Sequence, residues 1–124
     1  MREAVVEAVL DLAAIVPPGR VLSYGDVAEL LEVGGPRQIG RIMSLHGDAA
    51  PWWRIIRANG SLPDDLMARA LVHYRQEGTP LAEQAAGPAK VRMAQARWMP
   101  QDEEFAAIER LRSKVSEATD GVGA

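Results

Sequence analysis

The run Val33-Gly34-Gly35-Pro36 restricts this chain more than any other. Two glycines permit a sharp reversal, and a proline directly after them suits the first turn of a new helix, where its missing N–H has no partner to lose. The flanking segments are short. Upstream, Ser23 with Asp26 three residues later is a capping-box-like start for a helix over 24–32. Downstream, Ile39, Ile42 and Met43 at i, i+3 and i+4 form the inward face of a helix from Pro36 to about Leu45, leaving Arg37, Arg41 and Ser44 outside. Two short helices around a Gly-containing turn make a helix-turn-helix.

The rest of the chain reads as its support. Val5, Val9, Leu12 and Val16, with Val6, Leu10 and Ala13 beside them, predict an amphipathic helix over 2–16 that Pro17-Pro18-Gly19 stops. Arg20-Val21-Leu22 leaves room only for a short extended segment. The β-prone stretch Trp52 to Arg57 runs into Ala58-Asn59-Gly60-Ser61, and Asn-Gly is a tight-turn signal, so a small β wing is expected here. Pro63-Asp64-Asp65 opens a helix with Leu66, Ala70 and Tyr74 at spacing four, ending at Glu77-Gly78-Thr79-Pro80. Beyond it, Ala85 to Pro88 reads as a loop and Val91 to Trp98 as a strand or a helical turn. Gln101 to Val115 reads as a surface helix docked through Phe105, Ile108 and Leu111, and Thr119 to Ala124 is expected to fray. The expected fold is mainly α: a winged helix-turn-helix domain over 1–80, and a C-terminal helical extension over 81–124 packed on it.

The chain has no cysteine, which removes disulfides, thiolate metal sites and sulfur nucleophiles. Two histidines, His46 and His73, without metal-ligand spacing leave no basis for a catalytic metal, and no cofactor is expected. No apolar run approaches the roughly 20 residues that span a bilayer, and Met1-Arg2-Glu3-Ala4 does not open a signal peptide, so a cytoplasmic monomer is expected. The formal charge of −3 is that of no strongly basic chain, but it is unevenly spread. Between Gly34 and Leu62 stand Arg37, Arg41, Arg54 and Arg57 against Asp48 alone, while Asp102, Glu103, Glu104, Glu109, Glu117 and Asp120 follow Pro100. With a basic middle and an acidic tail, the average charge is a poor guide to nucleic-acid binding.

Three segments carry a resemblance. Gly19-Arg20-Val21-Leu22-Ser23-Tyr24-Gly25-Asp26-Val27-Ala28 resembles the opening G-x-V-x-[ST]-Y-G-x-[ILV]-A of the DNA-binding domain of O6-alkylguanine-DNA alkyltransferases. Arg37-Gln38-Ile39-Gly40-Arg41-Ile42-Met43 is similar to that family's recognition helix, R-x-V-G-x-A-M. Pro51-Trp52-Trp53-Arg54-Ile55-Ile56, followed by Asn59-Gly60, is similar to its P-C-H-R-V-[IV], with tryptophan in the cysteine slot. One such motif is weak, but three in register over roughly 3–80 are specific, and the Cys-to-Trp replacement resembles the alkyltransferase-like branch. The chain departs from the pattern at Trp53, which stands in the slot of the family's histidine, at His46, in the place of an asparagine, and at Arg41, where a small residue is usual.

The resemblance implies a protein that binds duplex DNA containing O6-alkylguanine and flips the damaged nucleotide out of the stack, at a cost of a few kcal/mol. It transfers nothing, because an indole does not replace a thiolate nucleophile, and it hands the lesion to nucleotide excision repair proteins. On this reading Tyr24 crowds the phosphate beside the target and Arg37 enters the stack in its place, its planar guanidinium suited to stacking and hydrogen bonding. Trp52 walls the pocket, where stacking is worth about 1–3 kcal/mol per base. Because neighbours on an extended segment point opposite ways, Trp53 is assigned to packing or the rim. Gln38, Arg41 and Ser44 on the recognition helix, Pro51 and Arg54 around the tryptophans, Arg57 as a phosphate contact and Ser61 beyond the turn complete the expected DNA contacts. Two other classes stay open on the residues alone: a winged helix-turn-helix transcriptional regulator, and a small-molecule or protein interaction module.

Overall fold

Val9, Leu12 and Ala13 have no solvent exposure, and the helix that carries them, α1 (Arg2–Ile15), stops just before Pro17-Pro18. The computed structural model describes residues 2–123 and the side chains of residues 3–118. After the Pro17–Gly19 turn the chain forms β1 (Leu22–Ser23), and Ser23 then starts α2 (Tyr24–Leu31). The Asp26 N–H donates to the Ser23 hydroxyl at 3.0 Å and the Ser23 N–H donates to the Asp26 carboxylate at 2.9 Å, the reciprocal pair read from the sequence. Glu32, at a left-handed φ of 56°, ends the helix, and α3 (Pro36–His46) begins after the glycines with Pro36 in its first turn. Ile39, Ile42 and Met43 are buried; Arg37, Arg41 and Ser44 are exposed. The helix-turn-helix is as the spacing predicts.

The β element beside it is assembled differently from the expectation. Residues Trp52–Arg54 form one turn of 3-10 helix, not a strand, and only β2 (Ile55–Ile56) is extended. It pairs in parallel with β1, Leu22 opposite Ile55 and Ser23 opposite Ile56. The Asn59-Gly60 turn does form, with the Gly60 N–H donating to the Arg57 carbonyl at 2.9 Å. The chain leaves it through Leu62-Pro63 into α4 (Asp64–Glu77), so no strand returns. The nearby hairpin comes instead from β3 (Leu81–Ala82) and β4 (Lys90–Val91), antiparallel, followed by the single turn α5 (Met93–Ala96).

This small parallel pair divides the interior, because side chains alternate along a strand. Leu22 and Ile55 face a cluster built on α1, α2 and α3, while Val21 and Ile56 face a second, with Met67, Ala70 and Tyr74 of α4 and Val91 and Ala96 beyond it. The segment beyond Leu81 is woven into both. The Val21 N–H donates to the Ala96 carbonyl at 3.0 Å and the Trp98 N–H to the Val21 carbonyl at 2.8 Å, and Trp98 is buried in the first cluster.

The last helix, α6 (Asp102–Gly123), lies against α1 and α2. Phe105, expected on its docking edge, is 46% exposed, and the edge is set by Ile108, Leu111 and Val115 at i, i+3 and i+7. Arg112 reaches the end of α2, donating to the Leu30 carbonyl at 2.9 and 3.1 Å, which satisfies an acceptor the helix leaves open. The fraying expected for Thr119 to Ala124 falls outside the described side chains. No helix among the described residues is long and apolar enough to cross a membrane. Since Ile108 has no exposure, Ile108→Ala should cost about 2–5 kcal/mol in urea denaturation, whereas Phe105→Ala should change little; equal effects would mean that α6 is not part of the core.

Candidate nucleic-acid interface

Tyr24 and Trp52 each pack against both clusters, which puts them at the seam between the two. A cavity of about 300 Å³ opens there, at the lower end of the range of about 300–1,000 Å³ for small-ligand sites. Tyr24, Met43, Trp52, Leu62 and Leu66 give it aromatic and aliphatic walls, and Ser44, Asp48, Arg57 and Arg69 bring polar groups to it. Gly40 brings α3 close: a Cβ there would lie 3.2 Å from Tyr24 Cε2, so the ring rests on the helix backbone. Burial pushes the Tyr24 phenol above its ordinary range, partly offset by the nearby Arg57 guanidinium, so the hydroxyl stays neutral at the cavity wall.

The turn that carries Trp52 is fixed from α4. The Tyr74 hydroxyl donates to the Trp53 carbonyl at 2.6 Å. Trp53 Nε1 donates to the Glu77 carboxylate at 2.9 and 3.0 Å, and Arg54 Nε donates to the same group at 2.9 and 3.2 Å. A further Arg54 nitrogen approaches Glu77 to 2.7 Å, and another donates to the Val16 carbonyl at 3.0 Å. The Trp53 ring stacks on His73 with centroids 3.6 Å apart and planes 7° from parallel, and both meet Trp52 edge-on. Burial alone would raise the Glu77 carboxyl, but hydrogen bonds from Arg54 and Trp53, the Arg54 charge and the Gly19 N–H outweigh it and hold it below its ordinary value.

The structure brings Tyr24, Ser44, Trp52 and Arg57 together at the cavity, and leaves other expected contacts away from it. Arg37, Gln38 and Arg41 are exposed on the outer side of α3, and Gln38 and Arg41 border a separate groove against α1 with Val5, Val6, Leu45 and His46. Pro51 is half-buried and precedes the Trp52–Arg54 turn. Trp53 and Arg54 are both bonded to Glu77, which ties the turn to α4 and gives them a supporting role. Their separation from Trp52 comes from the geometry of a 3-10 turn and these bonds, not from strand alternation. Ser61 lines a neighbouring groove, and its hydroxyl donates to Asn59 Oδ1 at 2.6 Å. Among the described residues no group of His, Cys, Asp or Glu could hold a metal ion.

Residues 4–79 match the profile of the 6-O-methylguanine DNA methyltransferase DNA-binding domain. The chain belongs to this family. It is an alkyltransferase-like member, with Trp52 in the cysteine slot and no cysteine to accept an alkyl group. The DNA base-flipping protein of Escherichia coli (strain K12) is 30% identical over 95 residues, covering 73% of this chain and 70% of that protein. The Shigella flexneri protein of the same name matches equally. Among solved structures, S. pombe Atl1 in complex with damaged DNA containing O6-carboxymethylguanine is similar with a TM-score of 0.68 and 28% identity, over 81% of this chain and 98% of that one. S. pombe ATL in complex with DNA gives the same TM-score at 26% identity, with the same coverage of both chains.

Three residues of this alkyltransferase-like site escaped the sequence reading: Arg69, His73 and Glu77. Arg69 has its guanidinium carbon 5.1 Å from the Trp52 ring centroid, within cation–π reach. Leu66, Arg69 and His73 lie at i, i+3 and i+7, so the flank of the apolar stripe on α4 held the signal. Because the Glu77 carboxyl titrates lower in the fold than its ordinary 4.5, its contribution is full above that value and is lost as pH falls through the lowered one. Thermal unfolding followed from about pH 6 to about pH 3 should show that loss, and Glu77→Gln should remove it at a cost of roughly 3 kcal/mol near neutrality; an unchanged pH profile in the variant would refute the assignment.

Proposed function

We propose that the protein binds duplex DNA containing O6-alkylguanine and turns the damaged nucleotide into the Trp52 cavity. It holds the nucleotide there without transferring the alkyl group, and leaves it for nucleotide excision repair. The observation that carries this reading is the cavity itself: an aromatic-walled space next to the outer face of α3, with tryptophan where the family's nucleophile stands. What the similar proteins are named for, base flipping and damaged DNA, supports it.

Each role follows from chemistry. Trp52 offers the extruded base a π face. Arg57 and Arg69, at the same cavity, supply positive charge for a polyanion, and the neutral Tyr24 hydroxyl meets a phosphate without repulsion. Arg37 on the exposed side of α3 is the group to fill the gap in the stack, and it has no ion pair among the described residues. Arg41 and Ser44 follow Arg37 at i+4 and i+7 along that helix face as groove contacts, with Gln38 at its edge. The acidic residues of α6 keep the duplex from binding at that surface.

Fluorescence anisotropy on duplexes that differ only in guanine versus O6-methylguanine should show preference for the lesion, independent of flanking sequence. Trp52→Ala should lose about 1–3 kcal/mol on the lesion duplex and far less on the undamaged one. Mass spectrometry after incubation should find DNA and protein both unmodified. Equal affinity for the two duplexes, or a methyl group on any residue, would reject the reading.

A further inference from the structure

Arg57 and Leu62 stand between two cavities. One is the tryptophan-walled cavity; the other is a groove of about 310 Å³ between the turn after β2 and the loop that joins β3 to β4. Arg57, Ser61 and Asp64 line one bank, and Gln84 and Lys90 the other. The banks are fixed relative to each other. The Val91 N–H donates to the Gly60 carbonyl at 2.9 Å. Gly60, at a φ of 85°, lies so close beneath Val91 that any Cβ would overlap the Val91 carbonyl.

The charges facing this groove are two cations, Arg57 and Lys90, against the single carboxylate of Asp64. Neither cation has an ion pair among the described residues. The Gln84 amide makes only long bonds of 3.3 Å to the Ala82 and Glu83 carbonyls, which cost little to exchange. A preformed groove of this kind favours an anion that carries several oxygens. The two residues it shares with the first cavity, Arg57 and Leu62, point to which anion. A nucleotide whose base occupies the Trp52 cavity stays joined to its strand, and that strand passes Arg57, the residue common to both spaces.

We propose that the groove is a backbone subsite, in which Lys90 contacts a phosphate of the damaged strand beside the flipped nucleotide. This rests on the function proposed above. Lys90 and Gln84 lie beyond residues 4–79 that match the family profile, so the subsite gives the C-terminal extension a direct part in holding DNA.

The test is anisotropy across a salt series, on undamaged and O6-methylguanine duplexes, with the parent, Lys90→Ala and Lys90→Gln. The Lys90 side chain makes no hydrogen bond among the described residues, so both variants should unfold at the parent's temperature, and Lys90→Gln also keeps the alkyl stem. Each variant should flatten the slope of log K against log salt by about 1 and lower affinity roughly five- to tenfold near 0.1 M salt on the lesion duplex, and change the undamaged duplex, whose nucleotide stays in the stack, no more than that. Ending the damaged strand at the lesion on one particular side should abolish the difference between parent and variants. Unchanged slopes on the lesion duplex in both variants would overturn the subsite. If the parent binds both duplexes alike, the lesion-flipping reading fails, while the salt slopes still decide the phosphate contact. A parent that binds no duplex rejects both.

Discussion

Glu77 places a largely buried carboxylate in the last turn of α4, where the helix dipole disfavours negative charge. It is stable there because of what it gathers: the Arg54 guanidinium, the Trp53 indole N–H and the Gly19 N–H. These belong to the 3-10 turn and to the loop after α1, so one carboxylate ties three segments that are distant in sequence. The side chains of Arg54 and Glu77 are only 15% and 12% exposed. A pair so enclosed is strongly destabilising to break, because the remaining partner is left charged and desolvated. With Trp53 and Arg54 held by Glu77 at the end of α4, the turn leaves the Trp52 ring at the cavity, beside Arg69 of the same helix.

The same approach explains Gly19. At a φ of 86° it adopts a conformation that other residues reach only at a cost, and a Cβ there would lie 3.1 Å from the Glu77 carbonyl oxygen. The glycine therefore serves two needs, a left-handed turn after Pro17-Pro18 and the close passage of the loop over the end of α4. Gly40 serves the cavity in a comparable way, by letting the Tyr24 ring lie on α3. The aromatic wall depends on residues without side chains as much as on the tryptophan.

What was legible in the sequence was what is settled within a few residues. The Ser23–Asp26 cap spans three positions, and the inward face of α3 follows from the period of a helix, so both could be read directly. Residues Trp52–Arg54 read as a strand because their propensity is for one, but their conformation is set by Tyr74 and Glu77, more than 20 positions away. Phe105 and Ile108 are equally apolar; which of them is buried depends on where α1 and α2 lie, and no local pattern records that. The site divides along the same line. Tyr24 and Trp52 sit in motifs recognisable on their own, whereas Arg69 reaches the cavity from α4, and only the folding of that helix over the turn brings it beside Trp52.

The absence of a thiol nucleophile at position 52 is matched by the absence of an imidazole from the cavity lining. Of the ionisable groups at the cavity, Arg57 and Arg69 are cations, Asp48 carries a carboxyl group, and the Tyr24 phenol is held protonated by burial. The slot next to Trp52 holds an indole whose N–H is already committed to Glu77. The imidazole nearest in space, His73, lies flat against the Trp53 ring and meets Trp52 only at its edge, and it does not line the cavity. Proton transfer needs a base within about 2.6–3.2 Å of the group it serves, and no imidazole is placed for that role. What the cavity offers is an aromatic face, a preponderance of positive charge and shape, which are means of binding. On the proposed function the protein is then not consumed by its encounter with a lesion. How long the lesion stays marked is set by the rate at which the base leaves the Trp52 wall, and stacking and phosphate contacts act on that rate more than on the rate of arrival.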